Sequence, residues 1–170
     1  GIEFQVEQER VPRNSNGCDK IQFLISVNPG EPAKPIAKIA SGGELSRIML
    51  AIKTVLAGRD EIDTLIFDEI DTGISGRTAW KVAEQLSVLS GAHQVICITH
   101  LPQIAAMADV HFVIEKSSTD DMTITDIHKV SAEESLAELA RLLGSDALTE
   151  AALSNAKEMK EQAGMFKETR

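Results

Sequence analysis

An α/β fold with a mostly parallel sheet flanked by helices is predicted by three features of these 170 residues. The first is a pair of short apolar runs, "TLIF" at 64–67 and "QVICIT" at 94–99, which lack the alternation of half-exposed strands and suit strands covered on both faces. The second is the helical period of "GRTAWKVAEQLSVLSG" between them, which supplies the crossover that parallel strands require. The third is a pair of alternating segments around a turn at the N-terminal end, read as an antiparallel strand pair.

In chain order, Ile2, Phe4 and Val6 alternate with polar residues, "NSNG" supplies turn chemistry, and "KIQFLISV" alternates again. "NPGEPAKP" follows as a proline-rich loop. From Gly43, the apolar residues Leu45, Ile48, Met49, Ile52, Val55 and Leu56 recur at helical spacing until Gly58, which predicts an amphipathic helix. After the two apolar runs, "HFVIEK" and "MTITDIHKV" read as further strands. Ser131 and Glu134 form a capping box that opens a helix running to Gly144, and "TEAALSNAKEMKEQA" reads as the last helix. No repeat, low-complexity tract or internal boundary interrupts the chain, so residues 1–170 are expected to form a single domain.

Composition excludes several classes of function. Net charge is −9 and the pI is near 4.9. That argues against a broad phosphate-neutralising surface, and no basic DNA-binding patch is evident. Lys157, Lys160, Lys167 and Arg170 gather near the C-terminal end, but Glu158, Glu161 and Glu168 among them suggest a solvated helix face. Cys18, Cys97 and the four histidines are too scattered for a metal site or a disulfide framework. The longest apolar run, 48–57, is broken by Lys53, short of the roughly 18 residues a membrane span needs, and Gly1–Arg10 lacks a signal-peptide pattern. The expectation is a soluble, reduced, cytoplasmic protein without a membrane partner.

Three stretches carry candidate chemistry. In "ASGGELSRIMLAIK" two glycines stand where a helix starts, although glycine in a helix interior costs roughly 1 kcal/mol relative to alanine. Ser41 and Glu44 can form a capping box around them, which is a purely structural account. Alternatively, Gly42 and Gly43 let an anion approach the unpaired N–H groups of a helix N-terminus. In "TLIFDEIDTGIS", Asp68 and Glu69 end a buried run. Adjacent side chains of an extended chain point to opposite sides, so one carboxylate can hold Mg²⁺ while the other addresses a water. "QVICITH" delivers His100 to the end of another run, and open parallel sheets bind ligands at such strand ends.

The order of these motifs resembles the ATP-binding-cassette ATPases. In detail, "FLISVNPGEP", "KIASGGELSRIMLAIK", "FDEIDTGISG" and "CITHLPQIAAMAD" resemble the RecN family of bacterial DNA repair proteins, relatives of the structural-maintenance-of-chromosomes proteins. The likeness is closest from Phe23 to Asp109. It implies the C-terminal lobe of a P-loop NTPase head. Ser41, Gly42, Gly43 and Glu44 match the signature motif that contacts nucleotide across a dimer. Asp68 matches the acid that orients Mg²⁺, Glu69 the general base, Asp71 the D-loop acid and His100 the switch histidine. Ala40 stands where many cassette ATPases have leucine, and Ser75 where chromosome-maintenance relatives have aspartate, both as in the RecN family.

No glycine here is followed by lysine, so the G-x-x-x-x-G-K-[ST] loop that cradles ATP phosphates is missing. The resemblance implies that this loop lies in an N-terminal lobe beyond a coiled coil. The expected partners are therefore that lobe, a second head in a homodimer and DNA, with ATP and Mg²⁺ as cofactors of the complete head and a location at the nucleoid. The isolated chain is expected not to hydrolyse ATP. Two other readings remain at this point. One is a TOPRIM-like metal-dependent nuclease, although Asp68 and Asp71 do not form its Asp-x-Asp pair. The other is a non-catalytic docking module.

Overall fold

The computed structural model describes residues 2–26, 30–39, 41–57, 59, 61–119, 122–144 and 148–169. The alternating N-terminal segments form β1 (Glu3–Asn14) and β2 (Gly17–Ser26), antiparallel, with Val6 opposite Phe23 and Phe4 opposite Ile25. Asn14 Oδ1 accepts the Asn16 N–H at 2.8 Å, and Gly17 leaves the turn at φ +108°, a conformation that side chains disfavour. Part of the proline-rich segment becomes a two-residue strand, β3 (Lys34–Pro35), paired with Leu24 and Ile25. Pro35 has no N–H to donate, which confines it to the outside of this sheet. A 3₁₀ turn, Ile36–Lys38, follows.

The predicted amphipathic helix is α1 (Gly42–Leu56), and Gly58, expected to end it, lies outside the described residues, as does Ala40. The two apolar runs form β4 (Thr64–Phe67) and β5 (Gln94–Cys97), parallel, joined by α2 (Gly76–Leu89). A five-residue helix, α3 (Pro102–Ala106), escapes a periodicity reading because it is barely more than one turn long. The segment after it forms β6 (Phe112–Thr119) and β7 (Met122–Lys129), an antiparallel pair, followed by α4 (Ala132–Leu142) and α5 (Glu150–Glu168).

The α/β class stands, but the sheet is not mostly parallel. Among the described residues β4 and β5 are the parallel pair, while β1–β2–β3 and β6–β7 are antiparallel. Chain connection explains this. A parallel pairing needs a crossover of a dozen or more residues, which α2 provides between β4 and β5, whereas two residues separate β6 from β7 and leave only a hairpin.

One core cluster joins Leu50 of α1, Phe67 of β4, Ile70 in the loop after it, Val82, Ala83, Leu86 and Leu89 of α2, Ile104 of α3, Met107 just after α3, and Ala163 of α5. A second joins Leu139 and Ala140 of α4 to Ala156 and Met159 of α5, with Trp80 packed against both clusters. The helices thus cover the side of β4–β5 that carries Phe67, and hold the ends of both strands in fixed relation.

Candidate functional site

The site grows from the contact between the start of α1 and the loop after β4. Ser41 is the N-cap, with Oγ accepting the Glu44 N–H at 3.4 Å. The return bond from the Glu44 carboxylate to the Ser41 N–H is absent among the described residues, so only half of the expected capping box forms. By contrast both halves form at α4, where Ser131 Oγ accepts from Glu134 N at 3.2 Å and Ser131 N donates to Glu134 Oε2 at 2.7 Å. The N–H groups of Gly42 and Gly43 find no acceptor among the described residues. They are the free donors that a helix N-terminus presents to anions.

A side chain at either glycine would collide with the loop. A Cβ at Gly43 would stand 2.9 Å from the Glu69 carbonyl oxygen and 3.0 Å from Thr72 Cβ, and one at Gly42 would meet the Glu69 carboxylate. Two side chains on the first turns of α1 then fasten the loop. Ser46 Oγ donates to Asp68 O at 2.9 Å, and Arg47 Nη1 donates to Ile70 O at 3.1 Å and Thr72 O at 2.9 Å. Neither Ser46 nor Arg47 stands out by motif reasoning. The available signal was position, because Arg47 follows Gly43 by four residues and so shares its helix face.

The loop itself departs from the extended backbone expected at "DE". Strand β4 ends at Phe67, Asp68 Oδ1 accepts the Glu69 N–H at 2.8 Å, and Glu69 takes φ +56°, in the left-handed region. The Glu69 carbonyl then accepts Thr72 N–H at 3.0 Å and closes a turn. Asp68 and Glu69 therefore diverge through a turn rather than through strand alternation, and both remain exposed. A left-handed non-glycine residue costs energy of order 1 kcal/mol and is held here by the fastened loop around it.

Asp71 behaves differently from the other acids. It is 3% exposed, and its Oδ2 accepts Thr99 Oγ1–H at 2.6 Å and His100 N–H at 2.8 Å, with His100 Nδ1 at 3.0 Å. The Asp71 carboxylate is thus turned inward and tied to the residues that follow β5. The His100 side chain, 71% exposed, projects outward from this anchor. Cys97, beneath them, is pushed up to about 12 by burial, then by Asp71 and Asp68, so its thiol stays protonated and inert at neutral pH. The structure therefore gathers Ser41–Glu44, Asp68, Glu69, Asp71, Thr99 and His100 through two linked contacts, α1 to the loop and the loop to β5.

No family model matches the chain. The DNA repair protein RecN of Bacillus subtilis (strain 168) is 45% identical over 164 residues, 96% of this chain and 28% of that protein. The protein of the same name from Halalkalibacterium halodurans is 44% identical over 163 residues, covering 96% and 29%, and that from Treponema pallidum (strain Nichols) is 54% identical over 143 residues, covering 84% and 25%. A solved chain from work titled "Structural biochemistry of ATP-driven dimerization and DNA stimulated activation of SMC ATPases" has a TM-score of 0.48 at 21% identity over 84% of each chain, too distant to bear on function. The chain spans under a third of the length of the curated relatives it matches. With such identity running along nearly all of its residues, the chain belongs to the RecN family, as a segment equivalent to the C-terminal region of its members.

Proposed function

We propose that this segment is the C-terminal lobe of an ATP-hydrolysing head in a DNA repair protein, whose ATP-driven head dimerisation is coupled to binding or tethering DNA. The observation that carries this is one surface on which the N–H groups of Gly42 and Gly43, without an acceptor among the described residues, adjoin the exposed Glu69, with the exposed Asp68 next to it in the chain. The donor set fits the group: backbone amides at a helix start suit phosphate oxygens, and an exposed carboxylate such as that of Asp68 suits Mg²⁺. When bound, ATP with Mg²⁺ supplies the phosphoanhydride that water cleaves. Asp68 would hold Mg²⁺, Glu69 would accept the proton of the attacking water, and His100, oriented by Asp71, would serve the side of the terminal phosphate. The phosphate-cradling loop comes from the N-terminal portion of the same protein, and Ser41, Gly42, Gly43 and Glu44 close the site of a second head. Dimerisation is then a condition of turnover, and the work is done at the nucleoid.

The test uses the full-length protein. Glu69→Gln keeps size and polarity but removes the proton acceptor, so ATP binds while hydrolysis falls by roughly 10² to 10⁴ and dimers accumulate. Ser41→Arg leaves ATP binding intact but blocks dimerisation and hydrolysis. Mixed with a variant defective in the phosphate loop, it regains partial activity, because both defects then fall in one of the two sites. Wild-type turnover by the Ser41→Arg protein on its own rules out a role across the dimer.

A further inference from the structure

Away from the site, β7, α4 and α5 enclose an open cavity of about 610 Å³. Lys129, Lys157 and Lys160 line it, so the lysines that the sequence suggests belong to a solvated helix face converge here with one from another element. Against these three ammonium groups the lining sets two carboxylates, Glu161 and Asp109, and Asp109 is shared with Lys167 at 2.5 Å. Lys129 and Lys157 have no ion-pair partner among the described residues.

Lys160 is the most telling of the three. It is half-buried, and its ammonium, which can donate three hydrogen bonds, makes a single one, to Ala108 O at 3.5 Å. A desolvated cation with one long bond lacks the partners that normally accompany burial. Burial and then Lys167 lower its pKa, with Asp109 acting in the opposite direction, so the charged form is disfavoured where the ammonium sits. Opposite it, His111 Nδ1 sits 2.9 Å from the buried Ser135 Oγ, which fixes the ring at the cavity wall. The start of α4 also opens here, but the Ser131–Glu134 box already occupies its end, so the lysines carry the argument.

We propose that this cavity binds a phosphate group through Lys129, Lys157 and Lys160, with Lys160 as its innermost contact. The inference stands apart from the ATP reading, since no residue of 41–44 or 68–71 lines the cavity. The phosphate can come from a nucleic-acid backbone or from a free anion, and the arms of the test separate them. In the full-length protein, lysine acylation is mapped residue by residue by mass spectrometry, with inorganic phosphate in one arm and a duplex oligonucleotide in the other. Selective protection of Lys129, Lys157 and Lys160 over Lys38 and Lys116 is expected. Protection by phosphate alone identifies a free-anion site. Protection by the oligonucleotide identifies the backbone, and Lys129→Gln and Lys157→Gln, both at exposed positions that the fold tolerates, should then each lower the salt slope of DNA binding by about 1. Reactivity of the three lysines unchanged from the ligand-free protein in both arms, or uniform protection of all lysines, overturns the proposal.

Discussion

At Gly43 a methyl group would press on backbone, the Glu69 carbonyl at 2.9 Å, whereas at Gly42 it would meet only the end of a flexible carboxylate side chain. The two glycines are thus unequal. Gly43→Ala should cost about 1–3 kcal/mol despite alanine's better helix propensity, because the loop that Arg47 holds must shift. Gly42→Ala should be close to neutral, since Glu69 can swing away and alanine gains up to about 1 kcal/mol in the helix. Urea unfolding of the two variants measures the contrast, and equal losses would remove the loop contact as its cause. Asp71 supports a second prediction at this scale. Asp71→Ala strands the donors of Thr99 and His100 and should cost about 2–3 kcal/mol in thermal unfolding. In the full-length protein its kcat should fall while ATP affinity holds, because His100 loses its orientation rather than the nucleotide losing a ligand. A rise in KM with kcat unchanged would instead mark Asp71 as a nucleotide contact.

Among the elements, α1 and α4 start with the same residue types and end up capped differently. The complete box at α4 makes Ser131→Ala a clean measurement, with an expected loss of about 1 kcal/mol in chemical denaturation. It also carries a pH signature. Hydrogen bonds from the Ser131 backbone and hydroxyl groups hold the Glu134 carboxyl below its ordinary range. A depressed carboxyl contributes stability that is present above its unfolded-state value and disappears as pH falls through the folded-state value. The stability difference between wild type and Ser131→Ala should therefore narrow on acidification from neutral pH into the carboxylate range. The backbone N–H at 131 remains in the variant, so a pH-independent difference would mean that the Ser131 hydroxyl does not act on the Glu134 carboxylate. At α1 the box is incomplete, and the Gly42 and Gly43 N–H groups have no acceptor among the described residues.

For the whole molecule, the most informative feature is an uncovered sheet face. Leu65, Phe67, Val95 and Cys97 turn toward the α2 core, while Ile66 (67% exposed), Ile96 (45%) and Ile98 (46%) form an apolar strip on the other side. Parallel strands are normally covered on both faces. In the proposed head, the N-terminal lobe supplies that cover. Ile66→Lys with Ile96→Lys should leave the unfolding midpoint of the isolated segment within about 0.5 kcal/mol of wild type, as exposed positions do. The same pair in the full-length protein should abolish ATP hydrolysis by separating the lobes. Normal turnover would show that this face stays open in the working protein. Among the described residues no helix is long and apolar enough to cross a membrane.

What the sequence determined by itself was local and periodic. The hairpin at "NSNG", the helices α1, α2, α4 and α5, and the short apolar strands follow from turn chemistry, the 3.6-residue period and capping pairs, all of which act over a few residues. The motif order also identified the family, because Ser41–Glu44, Asp68–Glu69 and His100 sit in one long joined pattern. Only the tertiary structure decided how those motifs meet. Strand pairing depends on connection length and partner availability, so the apolar runs did not reveal that β6 and β7 fold back on each other instead of extending a parallel sheet. Burial depends on what lies opposite, so no spacing rule could turn Asp71 inward toward Thr99 and His100 while leaving Glu69 outside. The glycine pair joins both levels. Its place at a helix start is readable in the chain, but its necessity comes from the Glu69–Thr72 backbone packed against it, a contact between residues more than twenty positions apart.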